Sequence, residues 1–346
     1  MDGNNTGCLG ATEATAGPLP GLGGAFRPSA SWRRFNGGSR GESQEAAALA
    51  ASRIAASWRR SLVNHRLDPV DARAPERLDA AALRAAREAA GPLLAAAAPF
   101  LDRLHAIAGQ AGCAVLLTDA DGVVLDQRSP AAEATVFERW GLWSGGRWSE
   151  AVEGTNGIGT CLAEGRAVTI RPDEHFLSRN TAMTCIDTPL FGPEGELVGA
   201  LDASSCRSDC DAALSGLIAA VLADAARGVE RDLFRARYPA ERIVVCDDGG
   251  VGGAGAMLLA VDADDLAVGA TRAARRAFSF DPARDGPRPA GDLLGWTTGA
   301  PAQDDAGRAM LRRALARAGG DRSAAARALG IGRATLYRRM KRHGLG

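Results

Sequence analysis

Arg333, Thr335, Arg338, Arg339 and Arg342 fall within ten residues near the end of the chain. At helical spacing they form a polar face, while Leu336 and Met340, one turn apart, form the opposite one. Long donors spaced in this way suit a major groove, because arginine pairs bidentately with guanine and also clamps phosphate. The alternative is a solvated surface in an arginine-rich chain. Charge distribution favours the first reading. Lys+Arg and Asp+Glu balance at 41 each, and Lys341 is the only lysine. From Asp305 onward, however, ten arginines and Lys341 stand against Asp305 and Asp321, a net +9 that leaves −9 on residues 1–304. Overall neutrality excludes a uniformly basic coat, and a basic end on an acidic body points to a nucleic-acid partner for that end.

Other residue patterns carry less chemistry. The seven cysteines are scattered and odd in number, which fits reduced thiols in a cytoplasmic protein. Cys206 and Cys210 are four apart, and Cys185 can approach them on a sheet, so a redox pair or thiolate site stands as the alternative to ordinary thiols. His65, His105, His175 and His343 are well separated and no CxxC occurs, so no metal site is expected. Gly250 to Gly255 matches GxGxxG after a strand over Arg242–Cys246. A dinucleotide site needs a helix opening there, whereas Met257–Val261 reads as strand, so the match is read as a turn. No GxxxxGK[ST] loop is present to cradle phosphates. These patterns give no catalytic residues and no cofactor.

The elements that must position the basic face read as three helices. Asp305–Ala318 is broken by Gly319-Gly320, Asp321 caps Arg322–Leu329, and Gly330 closes that helix in the left-handed conformation. Arg333–His343 follows after a tight turn, which makes a helix-turn-helix with Ala325, Leu329, Ile331, Leu336 and Met340 as its core.

Upstream, residues 1–43 are Gly-rich and poor in aliphatics, and predict disorder. A helical leader starts at Glu45, with Leu49, Ile54, Trp58 and Leu62 on one stripe, and ends at Leu67-Asp68-Pro69. Helices over Leu78–Gly91 and Leu93–Ala111 come next. Strands follow at Ala114–Thr118, Val123–Leu125, Ala167–Ile170, Asp187–Phe191 and Leu197–Leu201, and then a long helix at Asp211–Phe234. Helix, antiparallel strands, helix is an α+β pattern of about 150 residues. Short strands at Arg242–Cys246, Met257–Val261 and Leu266–Gly269, a helix at Thr271–Phe278 and a Pro/Gly-rich linker over Asp281–Pro301 complete the chain. No run reaches the roughly 18 apolar residues that span a bilayer, and no signal peptide is expected, so no membrane partner is.

Asp321-Arg-Ser-Ala-Ala-Ala-Arg-Ala-Leu-Gly-Ile-Gly-Arg-Ala-Thr-Leu-Tyr-Arg-Arg-Met-Lys341 resembles the Fis-type DNA-binding domain that ends many bacterial enhancer-binding activators. Ile54-Ala-Ala-Ser-Trp-Arg-Arg60, Trp148-Ser-Glu150, Gly154-Thr-Asn-Gly-Ile-Gly-Thr160, Glu174-His-Phe176, Thr184-Cys185 and Gly199-Ala-Leu-Asp202 resemble, in order, the leader and GAF domain of the acetoin-catabolism activator family. Leu258–Asp265 and Thr271–Phe278 resemble the PAS-like module that follows it. The resemblance implies this organisation: a helical leader over 44–80, a GAF-type antiparallel sheet with flanking helices over 81–235, a PAS-like α/β remnant over 241–296, a linker over 297–304, and an all-α helix-turn-helix over 305–346. It makes Arg322, Arg333, Thr335, Tyr337, Arg338, Arg339, Lys341 and Arg342 the candidate DNA contacts, used by a homodimer on an inverted repeat. It makes Trp148, Glu150, Thr155, Asn156, His175 and Cys185 the candidate contacts of a small-molecule effector. The alternative is that these six only build the sheet edge and its loop. Gly154, Gly157 and Gly159 let backbone pass close to another group, and Trp140, Trp143 and Trp148 supply apolar walls.

The AAA+ ATPase that such activators carry between sensor and DNA-binding end has no counterpart here, so neither ATP hydrolysis nor sigma-54 remodelling is expected. Activation would then need direct contact with RNA polymerase, and repression by occlusion is equally open. Two other classes compete with a ligand-responsive regulator. One is a thiol enzyme of the free methionine sulfoxide reductase kind, enlisting Cys161, Cys185, Cys206 and Cys210. The other is an architectural DNA-binding protein.

Overall fold

The computed structural model describes residues 53–71, 73–246, 255–295 and 305–345. The Gly-rich tail, the first residues of the leader, the linker over 297–304 and most of the GxGxxG match lie outside the described residues.

The leader helix α1 covers residues 53–59 and continues as a π-helical turn over Arg60–Asn64, so it closes before Leu67. Asp79 then caps α2 (Ala80–Ala89), accepting from the amides of Ala81 and Ala82. α3 (Gly91–Ala108) starts with Pro92 in its first turn, where the missing N–H costs nothing, and tolerates Pro99 inside.

Five antiparallel strands form the first sheet in the order β2-β1-β5-β4-β3, with β1 at Cys113–Asp119, β2 at Val124–Arg128, β3 at Val168–Ile170, β4 at Thr184–Phe191 and β5 at Leu197–Ser205. Side chains alternate across it. Val115, Leu117, Ile186, Leu190, Leu201 and Ala203 pack against α3 and the long helix α7 (Ala212–Arg237). Ala114, Leu116, Cys185 and Ala200 face the other way, toward Trp148, Ile158, Cys161 and Met183. Both faces are covered, which is why β1 reads as a near-continuous apolar run and every residue of β4, its Asp and two Thr included, is buried.

Three short helices build the second covering layer: α4 (Ala134–Arg139), α5 (Glu150–Glu153) and α6 (Gly157–Glu164). The sequence reading assigned no helix to the last of these. Asn156 is an N-cap whose Oδ1 accepts from Gly159 N at 2.8 Å, and Ile158, Cys161 and Leu162 are buried at i, i+3 and i+4.

α7 passes a length-and-composition test for a membrane span, with a mean hydropathy of 1.5 over 18 residues. The sequence reading found no such stretch, because it required an unbroken apolar run. Within the fold, Ile218, Leu222, Ala225, Ala226, Val229 and Leu233 of this helix are core residues of the first domain. Gly228 is where α3 crosses it: a Cβ there would lie 2.0 Å from the Phe100 ring.

A second antiparallel sheet follows in the order β6-β7-β8-β9, with β6 at Arg242–Val245, β7 at Leu258–Val261, β8 at Leu266–Ala270 and β9 at Arg288–Pro289. α8 (Arg272–Phe278), α9 (Pro282–Asp285) and α10 (Ala290–Leu294) surround it. The presumed linker from Asp281 is therefore structured up to Leu294. Asp281 caps α9 by accepting from Ala283 N, and Pro289 sits on an edge strand, where its missing N–H leaves no ladder bond broken.

The two sheets meet at a buried carboxyl. Glu230 on α7 accepts from Phe191 N at 3.1 Å and Ala256 N at 3.3 Å, and Arg272 lies 3.8 Å over the Phe191 ring. Burial pushes the Glu230 carboxyl up to about 7.

α11 (Asp305–Arg317), α12 (Arg322–Ala328) and α13 (Arg333–Arg342) close the chain around Leu311, Ala314, Ala325, Ala326, Leu336 and Met340, with Leu329 and Ile331 partly buried. The fold class is α+β, as read from the sequence.

Candidate functional site

The basic end assembles as its local signals require. The Asp321 carboxylate accepts from Ser323 N and Ala324 N at 2.7 and 3.1 Å, which holds its pKa below the usual carboxylate range. Gly330 adopts φ +63°, so the chain turns into α13 where a side chain would be strained. With Leu336 and Met340 buried, Arg333, Tyr337, Arg338, Lys341 and Arg342 are exposed, and Thr335 and Arg339 half-buried. Arg322 reaches across from α12. Its guanidinium stacks 5.2 Å from the Tyr337 ring centre, with Arg333 at 5.8 Å on the same ring. Arg338 donates to Thr335 Oγ1 at 3.3 Å. Among the described residues, none of these basic groups forms an ion pair with a carboxylate. The eight predicted residues thus form one cationic surface centred on α13, open to a polyanion.

The six residues predicted to touch an effector are all buried, and they divide into separate groups. Glu150 and Thr155 belong to a seam under the leader. Ser57 Oγ lies 2.5 Å from Glu150 Oε1, 2.8 Å from Thr155 Oγ1 and 3.1 Å from Thr160 Oγ1. Arg60 forks onto Glu150 at 2.7 and 2.8 Å and also pairs with Glu164 at 2.8 Å. Asn156 serves as the cap of α6. Trp148 donates from its indole N–H to Gly141 O at 2.9 Å and fills the core. Trp58, on the leader, meets Phe176 edge-on at 5.1 Å and donates to Glu174 O. The motifs of the leader and of residues 148–176 are therefore two sides of one contact.

His175 and Cys185 form the other group, with three residues that the sequence reading did not single out as site residues. His175 Nδ1 lies 3.0 Å from Arg171 O, a carbonyl that can only accept, so Nδ1 carries the proton and Nε2 is free to accept from Cys185 Sγ at 3.5 Å. Burial holds this imidazole down to about 4 and pushes the Cys185 thiol up. Ser204 Oγ lies 3.1 Å from Cys185 Sγ and 3.0 Å from Asp202 Oδ1. Asp202 is paired in register with Asp187 on β4, and both carboxyls are buried. Two carboxylates cannot both ionise there. Asp187 is driven far above its usual range by burial and then by the Asp202 charge, and Asp202 rises to about 7 by burial. Asp187 thus keeps its proton beside Asp202, and among the described residues Asp187 Oδ1, Asp187 Oδ2 and Asp202 Oδ2 have no hydrogen-bond partner.

α6 seals this cluster. A Cβ on Gly157 would lie 2.0 Å from Asp187 Oδ2 and 2.5 Å from Cys185 Cβ, the close backbone approach expected of these glycines. Beside it opens a cavity of about 470 Å³, lined by Ile54, Thr160, Val168, Ile170, Glu174 and Ser215.

Burial raises the pKa of the Cys113, Cys161, Cys185 and Cys206 thiols, the opposite of the depressed value a nucleophilic thiolate needs. The six described cysteines are free thiols, Cys206 and Cys210 included.

The carboxyl pair sets a pH dependence. Its folded-state pKa values lie above the unfolded value of 3.8, so its contribution to stability is complete below 3.8 and declines as pH rises toward 7. Asp187→Asn puts an amide donor beside Asp202 and removes the like charge. The difference between variant and wild-type melting temperatures is expected to grow in the variant's favour from pH 4 to pH 7. A difference independent of pH over that window refutes the assignment of a protonated Asp187 beside Asp202.

Comparison with known proteins agrees with both ends of the molecule. The family described as "Bacterial regulatory protein, Fis family" matches residues 304–343. The acetoin catabolism regulatory protein of Cupriavidus necator is 35% identical over 152 residues, which cover 44% of this chain and 23% of that protein. The propane 2-monooxygenase operon transcriptional activator MimR of Mycolicibacterium smegmatis is 38% identical over 122 residues, which cover 34% and 20%. The match thus spans about a fifth to a quarter of the length of these relatives. Among solved structures, the E. coli DhaR(N)–DhaL complex aligns over 66% of this chain and 77% of that one, with a TM-score of 0.48 and 19% identity. The family described as "MimR, N-terminal domain" matches residues 33–229, more than half of the 346-residue sequence, and the chain therefore belongs to that family.

Proposed function

We propose that the chain is a DNA-binding transcriptional regulator. Its α13 enters the major groove of an inverted repeat as part of a homodimer, and its first domain responds to a small molecule. The observation that carries this is the unpaired basic face of α13 and Arg322, built on an apolar core that needs none of those side chains. The relatives' roles as regulators of acetoin and propane operons support the same reading. With no phosphate-cradling loop in the sequence, regulation would proceed by polymerase contact or occlusion rather than by ATP-driven remodelling.

The buried cluster supports an uncharged, oxygen-bearing effector. His175, Cys185, Ser204, Asp202 and Asp187 offer a proton donor and several acceptors in apolar surroundings, which suits a hydroxyl or carbonyl and penalises an ion. Trp148, Glu150, Thr155 and Asn156 would shape the site from behind. A metal or cofactor has no part in this reading.

Selection from a random duplex library with the purified chain tests both parts. Enrichment of a two-fold symmetric sequence is expected, as is a change in its affinity on adding acetoin, acetone or 2-propanol. Uniform recovery of all duplexes refutes the DNA reading, and affinity unmoved by every such ketone and alcohol refutes the sensing one.

A further inference from the structure

Not every arginine of the basic end is free. α11 carries Arg308, Arg312, Arg313 and Arg317, and each pairs with an aspartate of the second sheet module. Arg312 Nη1 reaches Asp262 Oδ2 at 2.8 Å and Asp264 Oδ2 at 2.5 Å, with Arg308 3.7 Å from the same Asp264 oxygen. Arg313, a buried side chain, lies 3.1 Å from Asp265 Oδ2 and donates to Asp264 O. Arg317 forks onto Asp292 at 2.6 and 2.7 Å.

Asp262, Asp264 and Asp265 come from one turn fixed by its own hydrogen bonds, and Asp292 from α10. Asp262 Oδ1 accepts from Asp264 N and Leu266 N across the β7–β8 connection, and Asp265 adopts φ +60°. The result is a row of carboxylates spaced along an edge, met by a row of guanidiniums spaced along a helix. The pattern is selective: α11's arginines are tied down, whereas those of α13 are not.

We propose that this acidic edge acts as an internal substitute for nucleic-acid phosphate. It sequesters the arginines of α11, so that duplex DNA and the second module compete for the same cations. Docked, the chain offers DNA only the α12–α13 surface. Undocked, the α11 guanidiniums become available to the backbone as well. The inference rests on the DNA-binding reading and adds a brake to it. Any event that parts the C-terminal helices from the acidic edge raises DNA affinity, and DNA binding in turn favours parting, because the two equilibria are linked.

The test uses the full chain and a 30-base-pair mixed-sequence duplex, titrated at several salt concentrations. Asp264→Asn/Asp265→Asn/Asp292→Asn releases Arg308, Arg313 and Arg317 and spares Asp262, whose second oxygen holds the turn. Each released cation that reaches a phosphate steepens the plot of log affinity against log salt by about 0.9. The expected result is at least about tenfold tighter binding at low salt, with a slope steeper by up to about 2.7. A control carrying the same charge change elsewhere, Glu88→Gln/Asp121→Asn/Glu138→Gln, should keep the wild-type slope. Small-angle scattering should show a larger radius of gyration for the first variant only. If the wild type binds duplex and the first variant binds with unchanged affinity and slope, the brake is refuted and the DNA-binding reading stands. If neither binds duplex, the DNA-binding reading itself fails.

Discussion

Replacing Arg338 and Arg339 together by alanine is expected to abolish specific duplex binding while leaving the fold intact. Neither side chain pairs with a carboxylate among the described residues, and the core of the last three helices is made by other residues. Alanine is the best helix former, so α13 keeps its propensity. A well-placed arginine contributes about 1–3 kcal/mol of base discrimination, so the pair accounts for a loss on the order of 10²–10⁴-fold at fixed salt. A gel-shift titration against the selected operator, run beside a thermal melt, separates binding from folding. Wild-type affinity in the double variant refutes the assignment of α13 as the reading helix.

The second large effect lies under the leader. Arg60→Ala strands the Glu150 carboxylate, which is buried and takes two of its hydrogen bonds from that guanidinium. Arg60 is partly exposed and Ser57 still donates to Glu150, so leaving this buried acceptor short of its partner costs about 1–3 kcal/mol. For a unit of this size that corresponds to a fall of roughly 2–12 °C in melting temperature. Arg60→Ala/Glu150→Gln should recover part of the loss, since the orphaned charge is gone. A single variant that melts with the wild type would show that the leader is not fastened through this seam.

The two ends of the molecule were legible to different depths. In the last three helices every determinant is local. Asp321 caps, Gly330 turns, and Leu336 and Met340 share a face, so the reading from residues alone meets the structure almost position by position. The strands of the first sheet were found, and all but β3 were drawn short. β4 begins at Thr184 rather than Asp187, because a buried Asp reads as a strand end when its cross-strand partner is unknown. That partner, Asp202, is set by register, which no single segment encodes. The buried carboxyl pair was therefore invisible even though both residues stood inside or beside recognised motifs. α6 was missed for another reason. Three glycines outweighed the cap of Asn156 and the apolar spacing of Ile158, Cys161 and Leu162, although those two signals were sufficient to find it. Residues 281–294 read as a linker because Pro and Gly punctuate both loops and short capped elements.

The helix α7 imposes a mechanical constraint of its own. Its 26 residues extend about 39 Å, long enough to serve two cores in succession. Ile218 to Leu233 are bedded in the first, and Phe234 stands with Leu258 and Ala260 of the next. No proline interrupts it, so the helix runs unbroken from the first core to the second. Leu233 and Phe234 are consecutive, so the two cores abut on the helix and their angular relation is set by one residue step. A single insertion there would swing Phe234 by about 100° away from its seat and leave the two modules out of phase.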